Sequence, residues 1–414
     1  MSRYALWLPS PLLGLGEIVA RVANLFTIVV IVRSAGVRGY GRIGISLALL
    51  DLLLLLADMG FGTVGTRELA QDGGQGRDLR RVVTRARLTT APLAMLVGLA
   101  AAALLPGLDP QTRRVTAITS VAVLSVIVLS DWALIAMGRN GAAGAARAAT
   151  SLVYLALVYA ASRLLTGGTL DAFAGARVVS LVLGAILTWV VATRYLARDK
   201  KAVMPVRGLV VFAVHLGAAA LFIRVYNVAD TLVLGVFRSS QVVGAYRAAY
   251  TIVLLPLGIA YLLNVVLAPR LAALAAADVR AFLVSTQRFI VVGTSAMTAV
   301  AAAIAVAAEP LSHLLYGHHT GSIAYLTRLL APTIPLDYLA SAYMLGLVAG
   351  GRPAVLAKAA GAAAVTNIGL SFALTPGLGQ NGAVAASLLA YGVLTTIFWW
   401  NWRSFRRQSE SKSP

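Results

Sequence analysis

The stretch FIRVYNVADTLVLGVFRSSQVVGAYRAAY, residues 222–250, places ionisable side chains inside a run of apolar residues. Arg224 and Asp230 lie in or beside an apolar segment of about 20 residues, the length that crosses the ~30 Å hydrocarbon core of a bilayer. A charge near the bilayer centre costs about 2.5 to 3.5 kcal/mol on insertion scales, and such residues nearly always face a bundle interior or a water-filled cavity. The stretch therefore predicts a membrane helix whose charges have a specific role.

Composition indicates that this helix is one of many. Of 414 residues, 59% are hydrophobic and 12% are charged, and the mean hydropathy is +0.83. Apolar blocks of spanning length recur along the chain, so the sequence predicts an all-α polytopic membrane protein with twelve spans. The predicted spans are residues 11–33, 42–64, 88–106, 115–137, 147–166, 173–194, 208–232, 246–268, 287–308, 324–349, 354–375 and 382–402.

The basic residues predict the orientation. A net charge of +20 would indicate nucleic acid for a soluble protein, but here Lys and Arg cluster between the apolar blocks, where a membrane surface explains them better. If the N-terminus is cytoplasmic, the inner segments carry 23 Lys and Arg and the outer loops carry 10. This bias predicts a cytoplasmic-membrane protein with both termini, and the loop around Lys200 and Lys201, in the cytoplasm. The first apolar run lacks a cleavage signal and is expected to be retained.

An internal repeat divides the chain. A shift of 203 residues places RVAN, residues 21–24, over RVYN, residues 224–227, and superposes three pairs of arginines without a gap. The pairs are Arg21 and Arg224, Arg67 and Arg270, and Arg85 and Arg288. We therefore predict an N-terminal six-helix lobe at residues 1–200, a C-terminal six-helix lobe at 201–402 and a basic cytoplasmic tail at 403–414. Halves that run in the same direction are expected to hold a substrate site between them near mid-membrane.

Four arginines are candidates for binding an anionic group. Arg21 stands four residues after Glu17, so a local ion pair is the alternative to a role in a cavity. Arg224 has no acidic residue three or four positions away and is the sharper candidate. Arg247 and Arg328 lie near predicted outer helix ends, where snorkelling to the membrane surface is the alternative role.

Five carboxylates are candidates for coupling transport to a cation. Asp51 and Asp58 are seven residues apart and share a helix face, and Asp131 and Asp337 also lie inside predicted spans. Together with Glu17, each is a group that can take up a proton or bind a cation when it is buried. The alternative for each is a hydrogen bond or ion pair between helices.

Three tyrosines are candidates for stacking on sugar rings. Tyr226, Tyr246 and Tyr250 fall in or next to the opening stretch. Aromatic side chains near helix ends also anchor proteins at the membrane interface, which is the alternative role.

Enzymatic motifs are lacking. The pair His318 and His319 sits in a short predicted outer loop without an HExxH motif, a phosphate-binding glycine loop or a soluble domain. The absence of cysteine excludes disulfides and cysteine-ligated metals. A polymerase or glycosyltransferase would be expected to carry a large outer loop or an acidic catalytic cluster. We therefore predict no catalytic site, no metal site and no cofactor.

Three segments resemble polysaccharide flippases of the Wzx type, within the superfamily that also holds lipid II flippases and MATE multidrug exporters. Residues 34–70, SAGVRGYGRIGISLALLDLLLLLADMGFGTVGTRELA, resemble the first two helices of that family. Residues 226–259, YNVADTLVLGVFRSSQVVGAYRAAYTIVLLPLGI, are similar to its seventh and eighth helices. Residues 366–391, TNIGLSFALTPGLGQNGAVAASLLAY, resemble its eleventh and twelfth. The likeness covers the whole chain.

The resemblance implies a function and its partners. It implies two six-helix lobes around a cavity that opens alternately to each side, and a cargo of oligosaccharide linked through pyrophosphate to a polyprenyl lipid. It also implies counter-flow of H⁺ or Na⁺, with membrane lipids, a polysaccharide polymerase and glycosyltransferases as partners. Guanidinium groups suit pyrophosphate oxygens through bidentate hydrogen bonds. A MATE-like cation-coupled exporter of drugs is the alternative and would favour an acidic cavity.

Overall fold

The protein is built from helices. The computed structural model describes residues 11–71, 77–165, 167–196, 206–317, 320–352 and 354–410. Within those ranges every regular element is a helix and none is a strand. The all-α class predicted from composition is confirmed.

The chain forms two compact units, Met1–Arg224 and Val225–Pro414. They divide within the helix Val206–Phe237, which we label α8. The lobe boundary predicted at residues 200 and 201, together with Lys200 and Lys201, falls in 197–205, which lies outside the described residues. The predicted lobe limits therefore stay a prediction, as does the end of the basic tail beyond residue 410.

Unit 1 contains seven helices in the described ranges before α8. They are α1 Pro11–Asp58, α2 Phe61–Gln71, α3 Arg77–Leu104, α4 Pro110–Ser120, α5 Asp131–Ala136, α6 Asn140–Leu164 and α7 Thr169–Tyr195. A 3-10 segment, Val121–Ile127, connects α4 toward α5. The predicted fourth span, 115–137, is therefore not one regular helix but a helix, a 3-10 segment and a short second helix.

A kink divides α1 into two membrane-spanning parts. Gly36 has φ 71° and ψ 173°, a conformation that a residue with a Cβ rarely adopts. The two parts correspond to the first two predicted spans. The second part ends at Asp58, earlier than predicted, because Met59 and Gly60 both turn with positive φ before α2 begins.

Close packing of small residues joins α1, α6 and α7. A Cβ built on Gly16 of α1 would lie 2.4 Å from the backbone of Gly144 of α6. On the other side of α6, a Cβ on Gly184 of α7 would meet the side chain of Thr150 at 2.0 Å. Contacts of this kind hold membrane helices together because lipid provides no hydrophobic driving force between them.

Unit 2 contains the end of α8 and seven further helices in the described ranges. They are α9 Ser240–Ala277, α10 Val279–Val306, α11 Ala308–Tyr316, α12 Gly321–Leu330, α13 Thr333–Ala349, α14 Ala354–Leu378 and α15 Gln380–Glu410. The predicted tenth span is broken at Ala331 and Pro332, between α12 and α13. The helix α9, in contrast, continues through Pro256.

Two helix boundaries of unit 1 agree with the 203-residue repeat. The kink at Gly36 maps onto Ser239, where α8 gives way to α9. Arg77, the first residue of α3, maps onto Arg280, the second residue of α10. Other boundaries do not agree, because α6 would map onto 343–367, across the break between α13 and α14.

The helices fit a multi-pass membrane protein. Among the described residues, eight helices are long and apolar enough to cross a bilayer, and the one at Leu13–Asp58 covers two predicted spans. Each of the twelve predicted spans lies on helical segments, so the prediction of a polytopic membrane protein is confirmed.

Candidate functional site

Unit 1 holds a charged cavity within its helices. Its volume is about 730 Å³, and α1, α2, α3, α5, α6 and α7 contribute to its wall together with Arg224 at the end of the unit. The charged residues that line it are Glu17, Asp51, Asp58, Asp131, Arg87, Arg147, Arg177 and Arg224. Four of the five predicted coupling carboxylates and one predicted cargo-binding arginine therefore meet here.

Arg147 of α6 joins two carboxylates from different helices. Its guanidinium nitrogens lie 3.7 Å from Glu17 Oε2 and 3.0 Å from Asp131 Oδ2. Arg21 Nε lies 3.4 Å from Glu17 Oε1, so the local pair expected from sequence is present. Arg21 itself is outside the set of lining residues and reaches the cavity through Glu17. Glu17 thus connects two arginines, and a ligand that takes one of them would loosen the whole group.

Arg224 has a looser partner. Its Nη1 lies 3.9 Å from Asp51 Oδ2, at the outer limit of an ion pair. The two side chains are 48% and 33% exposed, respectively. The partner is distant in sequence, so the absence of a local acidic neighbour did correctly exclude a pair along the helix. A guanidinium with this exposure and one long contact is available to a ligand.

Asp58 belongs to the framework of the cavity. Its Oδ1 accepts hydrogen bonds from Arg87 Nε at 3.0 Å and from Arg87 Nη2, and the Arg87 side chain is only 2% exposed. The backbone N–H of Gly62 donates to Asp58 from the first turn of α2, and Arg87 Nη1 donates to the Leu129 carbonyl at 2.6 Å. Asp58 therefore fixes the position of α2 against α3.

Arg177 of α7 adds a cation that sequence reasoning missed. Its guanidinium carbon lies 5.1 Å from the centre of the Tyr154 ring. Among the described residues, no carboxylate lies within ion-pair distance of Arg177, and its buried Nε has no hydrogen-bond acceptor. Four arginines and four carboxylates line this cavity. Arg177 is the arginine whose positive charge is least balanced by a nearby carboxylate.

Three cavity arginines lie near the starts of predicted spans: Arg87 just before the third, Arg147 at the start of the fifth and Arg177 in the first turns of the sixth. Each lies within the first turns of the membrane part of its helix, where sequence does not separate an inward-facing arginine from a topology signal. A usable signal existed for Arg147, which interrupts the small-residue run GAAGAARAATS at 141–151 that packs against α1.

Two carboxylates of unit 2, Asp230 and Asp337, lie among tyrosine hydroxyls. Asp230 is 4% exposed and accepts hydrogen bonds from the hydroxyls of Tyr246 and Ser387, the latter at 3.0 Å. The backbone N–H of Thr231 also donates to Asp230, at 2.6 Å. The Tyr391 hydroxyl hydrogen-bonds Asp337 and lies 3.4 Å from the Tyr250 hydroxyl. Asp337 thus occupies a buried tyrosine network rather than the cavity of unit 1.

The tyrosines proposed to stack on sugars are mostly enclosed. Tyr226 and Tyr246 are buried, and the Tyr226 ring packs edge-on against Tyr391 at 5.0 Å. Tyr250 stacks beside Tyr246 at 6.2 Å between ring centres. Sugar stacking by these rings stays a prediction and requires a state in which they open.

The other two arginines also lie in unit 2. Arg247 is half-buried near Asp230, and its positive charge acts on that carboxylate. Arg328 is exposed and lies 3.4 Å from Glu309 at its Nη2. Neither lines the cavity of unit 1. Their contact with cargo stays a prediction.

The cavity has the chemistry of an ion-binding site. Arginine forks bind phosphate oxygens, and carboxylates bind protons or cations. Over the part of the chain that the structure describes, no group of three or more His, Asp or Glu side chains is arranged to hold a metal ion. His318 and His319 lie outside that part.

Similarity to solved structures agrees with this architecture. A structure titled lipid II flippase MurJ, in an inward closed conformation, matches with a TM-score of 0.78 at 12% identity over 95% of this chain and 87% of that chain. An inward-facing multidrug resistance MATE family transporter of the MOP superfamily matches with a TM-score of 0.72 at 14% identity over 96% and 99%. Its outward-facing counterpart matches at 0.68 and 15% over 97% and 96%. At these identities the matches establish the fold.

The sequence itself establishes the family. No curated protein matches the chain. The family model described as polysaccharide biosynthesis protein matches residues 11–275, well over half of the sequence, in agreement with the resemblance found in its motifs. The chain belongs to the polysaccharide biosynthesis protein family.

Proposed function

We propose that this protein moves polyprenyl-pyrophosphate-linked oligosaccharide across the membrane by alternating access, for cell-surface polysaccharide synthesis. The observation that carries the proposal is the cavity of unit 1, in which Arg147, Arg177 and Arg224 face a water-accessible space inside membrane helices. The pyrophosphate of the cargo would bind there, because its charge could not otherwise cross hydrocarbon. Membership of the polysaccharide biosynthesis family and a fold shared with a lipid II flippase support this cargo class.

The accessibility of the arginines favours an anionic cargo over a cationic one. Arg147 and Arg224 are 40% and 48% exposed, whereas their partners Glu17, Asp131 and Asp51 are between 22% and 33% exposed. A pyrophosphate group would therefore meet guanidinium groups first. Bidentate, charge-assisted hydrogen bonds then offset the removal of water from both groups.

The same ion pairs provide a route to cation coupling. Pyrophosphate and the carboxylates compete for Arg147 and Arg224, so cargo binding would release Glu17, Asp131 or Asp51 from their arginine partners. A released carboxylate in a membrane cavity is stabilised by taking up H⁺ or Na⁺. Cargo and cation binding are then thermodynamically linked, which is what antiport or symport requires. The proposal needs no cofactor and no catalytic step.

The test is flipping of a labelled polyprenyl-pyrophosphate oligosaccharide in proteoliposomes, normalised to inserted protein. Arg224→Ala removes a charged hydrogen-bond donor worth about 1.5 to 3 kcal/mol, so we expect transport to fall by roughly 10- to 100-fold. Arg224→Lys keeps the charge without the planar fork and should fall less. Arg163→Ala is the matched control, because Arg163 is an exposed arginine at the end of α6 that does not line the cavity. Normal flipping by Arg224→Ala would contradict the proposal.

A double substitution separates local pairing from cargo binding. If Arg21 serves only Glu17, then Glu17→Gln combined with Arg21→Gln should be much milder than Arg21→Gln alone. Equal loss of transport in both variants would assign Arg21 to the cargo. Arg247→Ala and Arg328→Ala, measured in the same assay, decide whether those two residues also contact it.

The carboxylates of the cavity favour a second candidate function, a MATE-like cation-coupled exporter of organic cations. The fold is shared with MATE transporters. Each cavity carboxylate, however, has an arginine within 4.0 Å, which lowers the attraction for an organic cation. Uptake of ethidium into the same proteoliposomes, with no flipping of the lipid-linked sugar, would establish the exporter instead.

We propose the cytoplasmic membrane as the location, with both termini inside. The excess of Lys and Arg in the predicted inner segments supports this orientation. A topology reporter fused after residue 414 should report the cytoplasm. A polysaccharide polymerase and glycosyltransferases would supply and consume the cargo.

A further inference from the structure

A groove in unit 2 lies between α10 and the end of α15. It has a volume of about 490 Å³ and is distinct from the cavity of unit 1, since all its lining residues belong to unit 2. On α10 the lining residues recur with the spacing of one helix face, from Val279 and Arg280 to Val291 and Val292. On α15 they are Arg406 and Ser409, one turn apart. The groove therefore runs along α10 with α15 closing one end.

One part of the groove is an exposed apolar wall. Val284, Val291 and Val292 are 69%, 52% and 59% exposed, respectively. They lie on α10, which is among the helices able to cross a bilayer, so their surroundings in the cell are acyl chains. The wall is thus suited to the hydrocarbon of a lipid and not to a water-soluble ligand.

The other part is basic. Arg280 stands in the first turn of α10, Arg288 follows two turns later, and Arg406 comes from the last turns of α15. The two arginines of α10 are about 12 Å apart along the helix axis, and long side chains at such depths extend toward the membrane surface. Gln287 and Ser409 add polar groups, and none of the described lining residues is acidic. The basic end thus complements a phosphate carried at the head of an apolar chain.

We propose that this groove binds an anionic diacyl phospholipid of the bilayer. The arginines hold its phosphate, and an acyl chain lies along the three valines. Basic pockets between membrane helices are a known way of binding anionic head groups. The groove offers no cluster of polar side chains for an oligosaccharide, which favours a membrane phospholipid over the lipid-linked cargo. The proposal requires only that the chain is embedded in a membrane, and it is independent of the cargo.

The experiment is native mass spectrometry of the full-length, delipidated protein with added dioleoyl phosphatidylglycerol or dioleoyl phosphatidylcholine. Each arginine near an anionic head group contributes roughly a fivefold change in affinity, so three contribute about 100-fold. We expect the native protein to prefer phosphatidylglycerol. We expect the triple variant Arg280→Gln, Arg288→Gln, Arg406→Gln to lose most of that preference while its binding of phosphatidylcholine is unchanged.

Two controls keep the result interpretable. Arg407→Gln removes an exposed arginine next to Arg406 that does not line the groove, and it should bind phosphatidylglycerol normally. Arg280→Lys, Arg288→Lys, Arg406→Lys keeps all three charges and should retain most of the binding. Photo-crosslinking of the native protein with an acyl-diazirine phosphatidylglycerol should label the peptide that contains Val284 to Val292. This measurement does not depend on whether the variants fold.

Four outcomes would overturn the proposal. The triple glutamine variant could keep the native preference, the Arg407→Gln control could lose as much as the triple variant, or the label could fall away from α10. If a polyprenyl pyrophosphate displaces phosphatidylglycerol from the groove at equal concentration, the groove belongs to the cargo lipid and the proposal is also wrong. The effect of Arg224→Ala on flipping has no bearing on these lipid-binding measurements, so the two proposals can fail independently.

Discussion

The two units place charge in opposite environments. In unit 1, Asp51 and Arg224 meet loosely at the wall of a cavity, whereas Asp230 in unit 2 is enclosed and held by hydroxyl groups. The repeat does not relate these sites, because Asp51 maps onto Leu254 and Asp230 onto Thr27. The 203-residue shift thus relates Arg21 to Arg224 but relates neither carboxylate to another. One unit offers ionised groups to a ligand, and the other uses a carboxylate to hold its own helices.

The largest expected effect concerns the buried pair in unit 1. Asp58→Ala leaves the Arg87 guanidinium, which is 2% exposed, without its carboxylate, so we expect a loss of about 3 to 5 kcal/mol in unfolding free energy. Thermal unfolding in detergent and protein abundance in the membrane measure it.

Asp51 is the control for that prediction. Its contact with Arg224 is long and partly exposed, so Asp51→Asn should leave thermal stability nearly unchanged and instead alter the pH or Na⁺ dependence of transport. If the Asp58→Ala protein does not unfold at a lower temperature than the Asp51→Asn protein, the structural role assigned to Asp58 but not to Asp51 is wrong.

A smaller effect is expected in the enclosed cluster of unit 2. Tyr246→Phe removes the hydroxyl that donates to Asp230 while keeping the ring. We therefore expect the free energy of unfolding to fall by about 1.5 to 3 kcal/mol. Tyr325→Phe, at an exposed position on α12 of the same unit, should change thermal unfolding little. A Tyr246→Phe protein with native stability but impaired transport would show that this cluster takes part in the transport cycle. The statement that Asp230 only holds the helices of unit 2 together would then be wrong.

The smallest effect is expected at the N-terminus of α4, outside the membrane spans. Asp109 caps this helix by accepting from the Thr112 N–H at 2.7 Å, and Arg42 Nε donates to its Oδ2 at 2.9 Å. Partial burial acts to raise the pKa of Asp109, but the hydrogen bonds from Thr112 and Arg42 outweigh it, so the pKa lies below its ordinary value. Asp109→Ala should cost about 1 kcal/mol at neutral pH, as for other helix caps.

The pH dependence of that effect follows from the lowered pKa. The stabilisation by Asp109 is fully present above the ordinary aspartate pKa of about 3.9 and is lost as pH falls through the lowered value. Unfolding midpoints of native protein and Asp109→Ala should therefore converge only in strong acid. Glu309→Ala in unit 2, which removes an exposed ion pair, should have a smaller effect at neutral pH. If the difference between the unfolding midpoints of native protein and Asp109→Ala grew as the pH fell, the stabilising role of ionised Asp109 would be wrong.

Much of the fold was predictable because membrane helices are specified by local composition. The spans appear in the sequence, since each must satisfy its own backbone hydrogen bonds in lipid, and the gap predicted between the first two contains the kink at Gly36. The observed helices differ from the predicted spans at Met59 and Gly60 and in the 3-10 segment Val121–Ile127. At these places packing within unit 1 interrupts an apolar run from which a continuous helix is predicted.

The candidate site was only partly predictable. Glu17, Asp51, Asp131 and Arg224 were found because an ionisable residue inside an apolar span is rare and costly. Arg87, Arg147 and Arg177 were not, since arginines near span ends serve equally well as topology signals.

The sequence by itself determined that this protein is an all-helical, multi-pass membrane protein, because the length and hydropathy of each segment fix its state in a bilayer. Only the tertiary structure decided which charges meet. Arg147 reaches Glu17 and Asp131 because glycines let α1 and α6 pack closely, and Asp230 is sealed by Tyr246 and Ser387 from other helices. Ion pairs and hydrogen bonds between helices depend on side-chain distances of a few ångströms, and those distances are set by packing rather than by the order of residues along the chain.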